Sequence, residues 1–298
     1  MSRRGAFLFL AMCVIWGIPY LFIKIADREL EPTVLVLGRT SLAALALLPL
    51  AAARGELRPM LRRWRPLLLF AGIEIAVPWW LLAKAEQRLS SSLTALLIAA
   101  VPLIGAAVAR TTGKRERFGR QTLAGLGLGI AGVAVLVGFD TAGASGLSVT
   151  EVIAVAVCYA VGPAILARYL SDLPALGVIA TSLGVCALVY VPLGVTQLPA
   201  RAPGAEVLTS VAVLAAVCTA AAFVVFFALI AEVGPVRATV ITYVNPAVAA
   251  LAGVAFLGES FTAGMGVGFV LILAGSVLAT RLVTPATAPE PVAAVQAD

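Results

Sequence analysis

Two charged side chains, Arg39 and Glu74, stand inside otherwise apolar runs of this chain. A guanidinium can hold a carboxylate, and a carboxylate can hold an amine or a transferable proton. A charge at membrane depth costs at least about 2.5–3.5 kcal/mol, so each must face a cavity or a partner. Counted along a helix, Arg39 lies about 9 Å and Glu74 about 12 Å inside the ends of their segments. On a hydrocarbon core of about 30 Å their heights differ by about 9 Å. Long side chains, or a water or substrate between them, could close that gap. One reading has both residues lining a pathway, with Arg39 on a substrate carboxylate and Glu74 on an amine or a coupling proton. The other is a structural ion pair that locks the second helix to the third.

Proline and aromatic residues extend the same region. A proline inside a helix leaves the carbonyl four residues earlier without its donor. Pro19, Pro102, Pro163 and Pro246 are hinge candidates by this criterion, and Pro78 frees the carbonyl of Glu74. Passive kinks repaired by neighbouring helices are the alternative. Trp16, Tyr20, Trp79, Tyr159 and Tyr243 cluster around these prolines, with Asn245 beside Pro246 as a polar contact. They are candidates for a substrate-facing wall, or else plain packing.

The elements that carry these residues follow from composition. Of 298 residues, 61% are hydrophobic and only 12% charged, about half the charge that covers a soluble domain. The net charge of +6 falls at helix ends, which fits membrane topology rather than a nucleic-acid partner. There is no histidine, and no cysteine spacing suggests a metal or a disulfide framework, so Cys13, Cys158, Cys186 and Cys218 read as small buried hydrophobes. With no nucleophile–base constellation either, a membrane-embedded enzyme is the weaker hypothesis. The start, Ser2-Arg3-Arg4 followed by a long apolar run, reads as a retained spanning helix rather than a cleaved signal.

Apolar runs long enough to cross a bilayer number ten: Gly5–Ile25, Thr33–Ala53, Pro66–Ala85, Ser91–Thr111, Gln121–Phe139, Val149–Tyr169, Pro174–Thr196, Val207–Ala231, Pro235–Leu257 and Thr262–Leu282. The loops on one side collect fifteen Lys and Arg and those on the other five, which places both termini in the cytoplasm. The expected fold is therefore an all-α membrane protein. The proline-rich tail 284–298 is expected to be a disordered cytoplasmic segment.

The two halves repeat. Pro19 and Pro163 are 144 positions apart, as are Lys24 and Arg168, and Pro102 and Pro246; Glu116, Phe118, Gly125 and Gly132 match Glu259, Phe261, Gly268 and Gly275 after a one-residue slip. Five helices per half is an odd number, so the copies cross in opposite directions, as in transporters that alternate about a midplane site. The expected division is 1–143 and 144–283. Gly125-x-x-x-Gly129 and Gly264-x-x-x-Gly268 supply close-packing faces, read as scaffold before dimer seam.

Several stretches give a family resemblance that covers residues 5 to about 282. They are Trp16-Gly17 with Phe22 and Lys24; Pro32 with Arg39; Ser90-Ser91-Ser92-Leu93-Thr94-Ala95-Leu96-Leu97-Ile98 leading to Pro102; Gly234-Pro235-Val236-Arg237-Ala238; Tyr243-Val244-Asn245-Pro246; and Leu257-Gly258-Glu259. Together they resemble the EamA-type branch of the drug/metabolite transporter superfamily. The third helix, with Glu74 and Trp79-Trp80, departs from that pattern. The resemblance implies a secondary transporter in the cell membrane that exports a small organic metabolite such as an amino acid. A channel-like permease or a multidrug efflux protein is the alternative. No cofactor or metal is expected; the expected partners are a small-molecule substrate and the lipid bilayer, and the expected state is a monomer or weak homodimer.

Overall fold

The structure, a computed structural model, describes residues 2–112, 120–139 and 146–280. The matched pair Glu116 and Phe118, the junction at 143/144 and the tail 284–298 lie outside the described residues. Every regular element among the described residues is helical. Eight helices are long and apolar enough to cross a membrane: α1 Arg3–Ala26, α2 Pro32–Ala53, α3 Trp64–Glu86, α4 Ser91–Val108, α5 Arg120–Gly138, α6 Gly146–Tyr169, α7 Ala175–Val195 and α8 Ala205–Val233. Two shorter apolar helices follow, α9 Ile241–Leu257 and α10 Ala263–Ala279. The expected ninth span from Pro235 is interrupted: Pro235–Ala238 forms one turn, and Thr239 and Val240 separate it from α9.

Helices from the two halves pack pairwise, and the dominant pairs are α5 with α10, α2 with α7, α3 with α6, α4 with α9 and α1 with α8. Exchanging each helix for its counterpart five places along maps this set onto itself. The partners run antiparallel. Along α2 and α7, Thr33 donates to Gln197 at 2.7 Å, Leu37 packs on Gly194 and Leu48 on Gly184, and the Gly177 amide donates to Glu56 at 3.0 Å. Along α3 and α6 the contacts are Arg63 with Asp172 at 3.2 Å and Lys84 with Glu151 at 3.2 Å. Along α1 and α8 they are Ser2 with Glu232 and Arg28 with Glu206 at 3.3 Å.

Glycine sets the closest approach. A Cβ on Gly125 would lie 2.7 Å from the Gly275 carbonyl oxygen, and one on Gly132 would lie 2.8 Å from that of Gly268. Bare backbone on both sides lets α5 and α10 touch along their lengths, which is how small residues drive association where lipid offers no hydrophobic incentive. Outward faces are apolar by the same token. Phe7, Leu45, Leu188, Leu251 and Phe256 are all exposed, as a lipid-facing surface requires.

Candidate functional site

Arg39 is 8% exposed and is the eighth residue of α2, on the face that packs on α3 and α8. Its Nε donates to the Thr219 hydroxyl at 2.9 Å, and that hydroxyl donates to the Leu214 carbonyl at 2.7 Å. The guanidinium sits over Trp79 with its Cζ 3.6 Å from the ring centroid. Cys218, Tyr159, Tyr20 and the Glu86 carboxyl are within its electrostatic reach, and the Tyr159 hydroxyl faces the Trp79 indole. Four of the sequence-derived candidates, Tyr20, Arg39, Trp79 and Tyr159, therefore meet where α1, α2, α3, α6 and α8 converge.

Glu74 does not pair with Arg39, so the ion-pair reading is corrected. Thr219 from α8 takes the guanidinium's Nε, and the carboxylate turns toward α6. There it fills the space that a side chain at Gly162 would need, with Cys158 and Tyr159 as electrostatic neighbours. Its Oε2 is buried and has no hydrogen-bond partner among the described residues.

Both Glu74 and Thr219 sit in π-helical turns, Ala71–Ala76 in α3 and Ala216–Ala221 in α8. The turns begin 145 positions apart, at matched places in the two halves. A π turn widens the helix by one residue and often marks a functional position. In α3 it accompanies Pro78: the Val77 amide reaches back five residues to Gly72. Donors from α7 take two carbonyls of this turn, with Tyr190 on Ala76 at 2.9 Å and Cys186 on Ala71 at 3.4 Å. The turn in α8 has no proline; there the Thr219 hydroxyl bonds the carbonyl five residues back.

The remaining candidates gather elsewhere. Trp16 packs on Phe223 and Phe226, with centroids 5.9 and 4.7 Å apart. Asn245 is 9% exposed. In the amide orientation that satisfies its neighbours, its nitrogen donates to the Cys13 and Ile241 carbonyls at 3.2 and 2.9 Å. These contacts join α1, α8 and α9 and occupy both N–H donors of the Asn245 amide. Tyr243 is half-buried on α9. The prolines divide by half. Pro19 follows a helix break at Trp16–Ile18 and Pro102 follows one at Ala99 and Ala100, whereas Pro163 and Pro246 lie within continuous helices.

Sequence reasoning missed three features. Thr219 carries no charge and no motif, and only its packing against Arg39 identifies it. Glu86 sits at the very end of α3, so it reads as a loop residue. It is instead fully buried, with both oxygens unpartnered among the described residues, while the Lys24 ammonium binds the Glu86 and Leu89 carbonyls. Glu259 caps α4 across the halves, accepting from the Ser91 and Ser92 amides at 2.8 and 2.9 Å. The capping preference of helix N-termini suggests such a role only once α4 and α9 are known to be neighbours.

Twelve solved chains resemble this one. One of them, described as "Crystal structure of protein", superposes with a TM-score of 0.67 over 95% of this chain and 98% of its own, at 19% identity. That is a likeness of fold. No curated protein matches the chain. The profile of the EamA-like transporter family matches residues 3–138 and again 147–281. The chain is thus a multi-pass membrane protein made of two EamA repeats, and it belongs to the EamA-like transporter family.

Proposed function

We propose that the chain is a secondary active transporter that moves a small organic metabolite, an amino acid or related compound, across the plasma membrane by alternating access, in the export direction. The observation that carries this reading is the Arg39 site. One guanidinium is held on a neutral hydroxyl and an aromatic face, where helices of both halves converge, and it forms no ion pair among the described residues. A charge kept in that state at membrane depth suits a substrate carboxylate. Tyr20, Trp79 and Tyr159 form the wall beside it. The amino-acid class and the direction of export are carried over from the family resemblance.

Ten spans in two oppositely inserted halves, residues 1–143 and 144–283, form the scaffold of this proposal. The antiparallel pairing of equivalent helices supports it, because a two-fold axis that relates antiparallel neighbours lies in the membrane plane. The charge bias of the loops supports cytoplasmic termini, with the tail 284–298 on that side. Glu74 is the coupling-proton candidate, supported by its unpartnered buried oxygen against Gly162. The helix breaks before Pro19 and Pro102 are the hinges best supported.

A thermal-shift screen of metabolites on the purified protein should find a ligand whose stabilisation is lost in Arg39→Gln. That ligand should then show saturable, trans-stimulated counterflow in proteoliposomes; flux that rises linearly without trans-stimulation would make the protein a channel. Transport by Glu74→Gln with an unchanged pH dependence would reject the coupling role.

A further inference from the structure

Far from Arg39, at the end of the bundle where α3 begins and α6 ends, lies an open cleft of about 610 Å3. Arg62, Arg63, Trp64, Arg65, Leu69 and Tyr169 line it. Its scaffold is fixed. The short helix Arg58–Arg62 is held to the bundle by Met60, which is buried, and by Glu56, which accepts the Gly177 amide of α7 at 3.0 Å.

The lining itself is open to its surroundings. Trp64 is 53% exposed, and Leu69 and Tyr169 are exposed as well. Of the three guanidiniums, Arg63 shares the exposed Asp172 at 3.2 Å and Arg65 lies 5.3 Å from the Trp64 ring centroid. Arg62 has no ion pair among the described residues. Arg168, over Tyr169 at 5.4 Å, adds a fourth positive charge at the rim. Among the described residues the cleft therefore has more positive charge than Asp172 can balance.

Planar guanidiniums are suited to phosphate oxygens. Tryptophan and tyrosine are the side chains that settle at headgroup level in a bilayer. A free anion would use the arginines and have no use for an exposed Trp64 and Leu69, whereas a lipid uses both. We propose that this cleft is a binding site for an anionic phospholipid, with its headgroup phosphate on Arg62 and Arg65 and its acyl chain along Leu69. The assignment depends on the chain lying in a membrane and is independent of what it transports.

The test uses the full-length protein in neutral detergent, titrated with phosphatidylglycerol, phosphatidylcholine or inorganic phosphate. Retained lipid is counted by native mass spectrometry, and the thermal midpoint is followed in parallel. Phosphatidylglycerol should be retained and raise the midpoint, phosphatidylcholine should do neither, and millimolar phosphate should not displace the bound lipid. Arg62→Gln and Arg65→Gln should each weaken phosphatidylglycerol binding about fivefold, and Arg201→Gln, at the opposite end of the bundle, should leave it unchanged. The proposal is overturned by equal retention of the two lipids, or by undiminished binding in both cleft variants. Displacement of the lipid by inorganic phosphate would also overturn it, making the cleft a simple anion site.

Discussion

Thr219 decides what Arg39 can do. Held on a hydroxyl instead of a carboxylate, the guanidinium keeps its net charge and its place over the Trp79 ring. Thr219→Val removes that acceptor, and an unsatisfied buried donor costs about 1–3 kcal/mol, more when charged. Thr219→Val should therefore lose substrate-induced stabilisation nearly as fully as Arg39→Gln, while Thr219→Ser retains it; equal behaviour of the Val and Ser variants would deny the hydroxyl a role. Asp27, just beyond α1, is a different kind of charge. Burial pushes its carboxyl up to about 8, with Lys24 opposing the shift and Glu31 adding to it. The folded protein then holds this proton up to about pH 8, while the unfolded chain releases it near pH 4. Between those values the native state binds more protons, so stability falls as pH rises. Thermal melts at pH 5 and pH 8 should show a drop in the wild type that is smaller in Asp27→Asn.

The glycine contacts and the π turns are properties of whole elements. At Gly275 an added Cβ would lie 2.6 Å from both the Gly125 carbonyl oxygen and the Gly129 amide nitrogen. These are backbone atoms, which cannot step aside as a flexible side chain can. Gly275→Ala should cost about 1–3 kcal/mol by overpacking, read as a lowered thermal midpoint. Gly127→Ala on the open face of α5, where a Cβ meets nothing within 4 Å, should be neutral or slightly stabilising. Equal melting of the two variants would mean that α5 and α10 do not pack through these glycines. The π turns place Glu74 and Thr219 at matched points of α3 and α8, yet only one accompanies a proline. Pro78 explains the turn in α3, and the back-bond of Thr219 to Leu214 accompanies the one in α8.

For the molecule as a whole, the proposed opposite insertion of the two halves makes a topological prediction. With the native cysteines replaced by alanine, single cysteines at Ser2 and Arg63 should react with an impermeant thiol reagent from one side of the membrane. Cysteines at Arg28 and Arg201 should react only from the other; labelling of Arg63 and Arg201 from the same side would sink the inverted arrangement. The sequence by itself determined the solvent of this protein, its helices and its repeat, because hydropathy, helix-end charge and the spacing of Pro and Gly are local properties. It also marked Arg39 and Glu74, since a charge in an apolar run is visible without a fold. It could not say where either side chain turns. A neutral threonine 180 residues away takes the guanidinium, a glycine on α6 makes room for the carboxylate, and a wider helical turn lies under each. Those outcomes depend on which helices become neighbours and at what height, and only packing between the halves decides that.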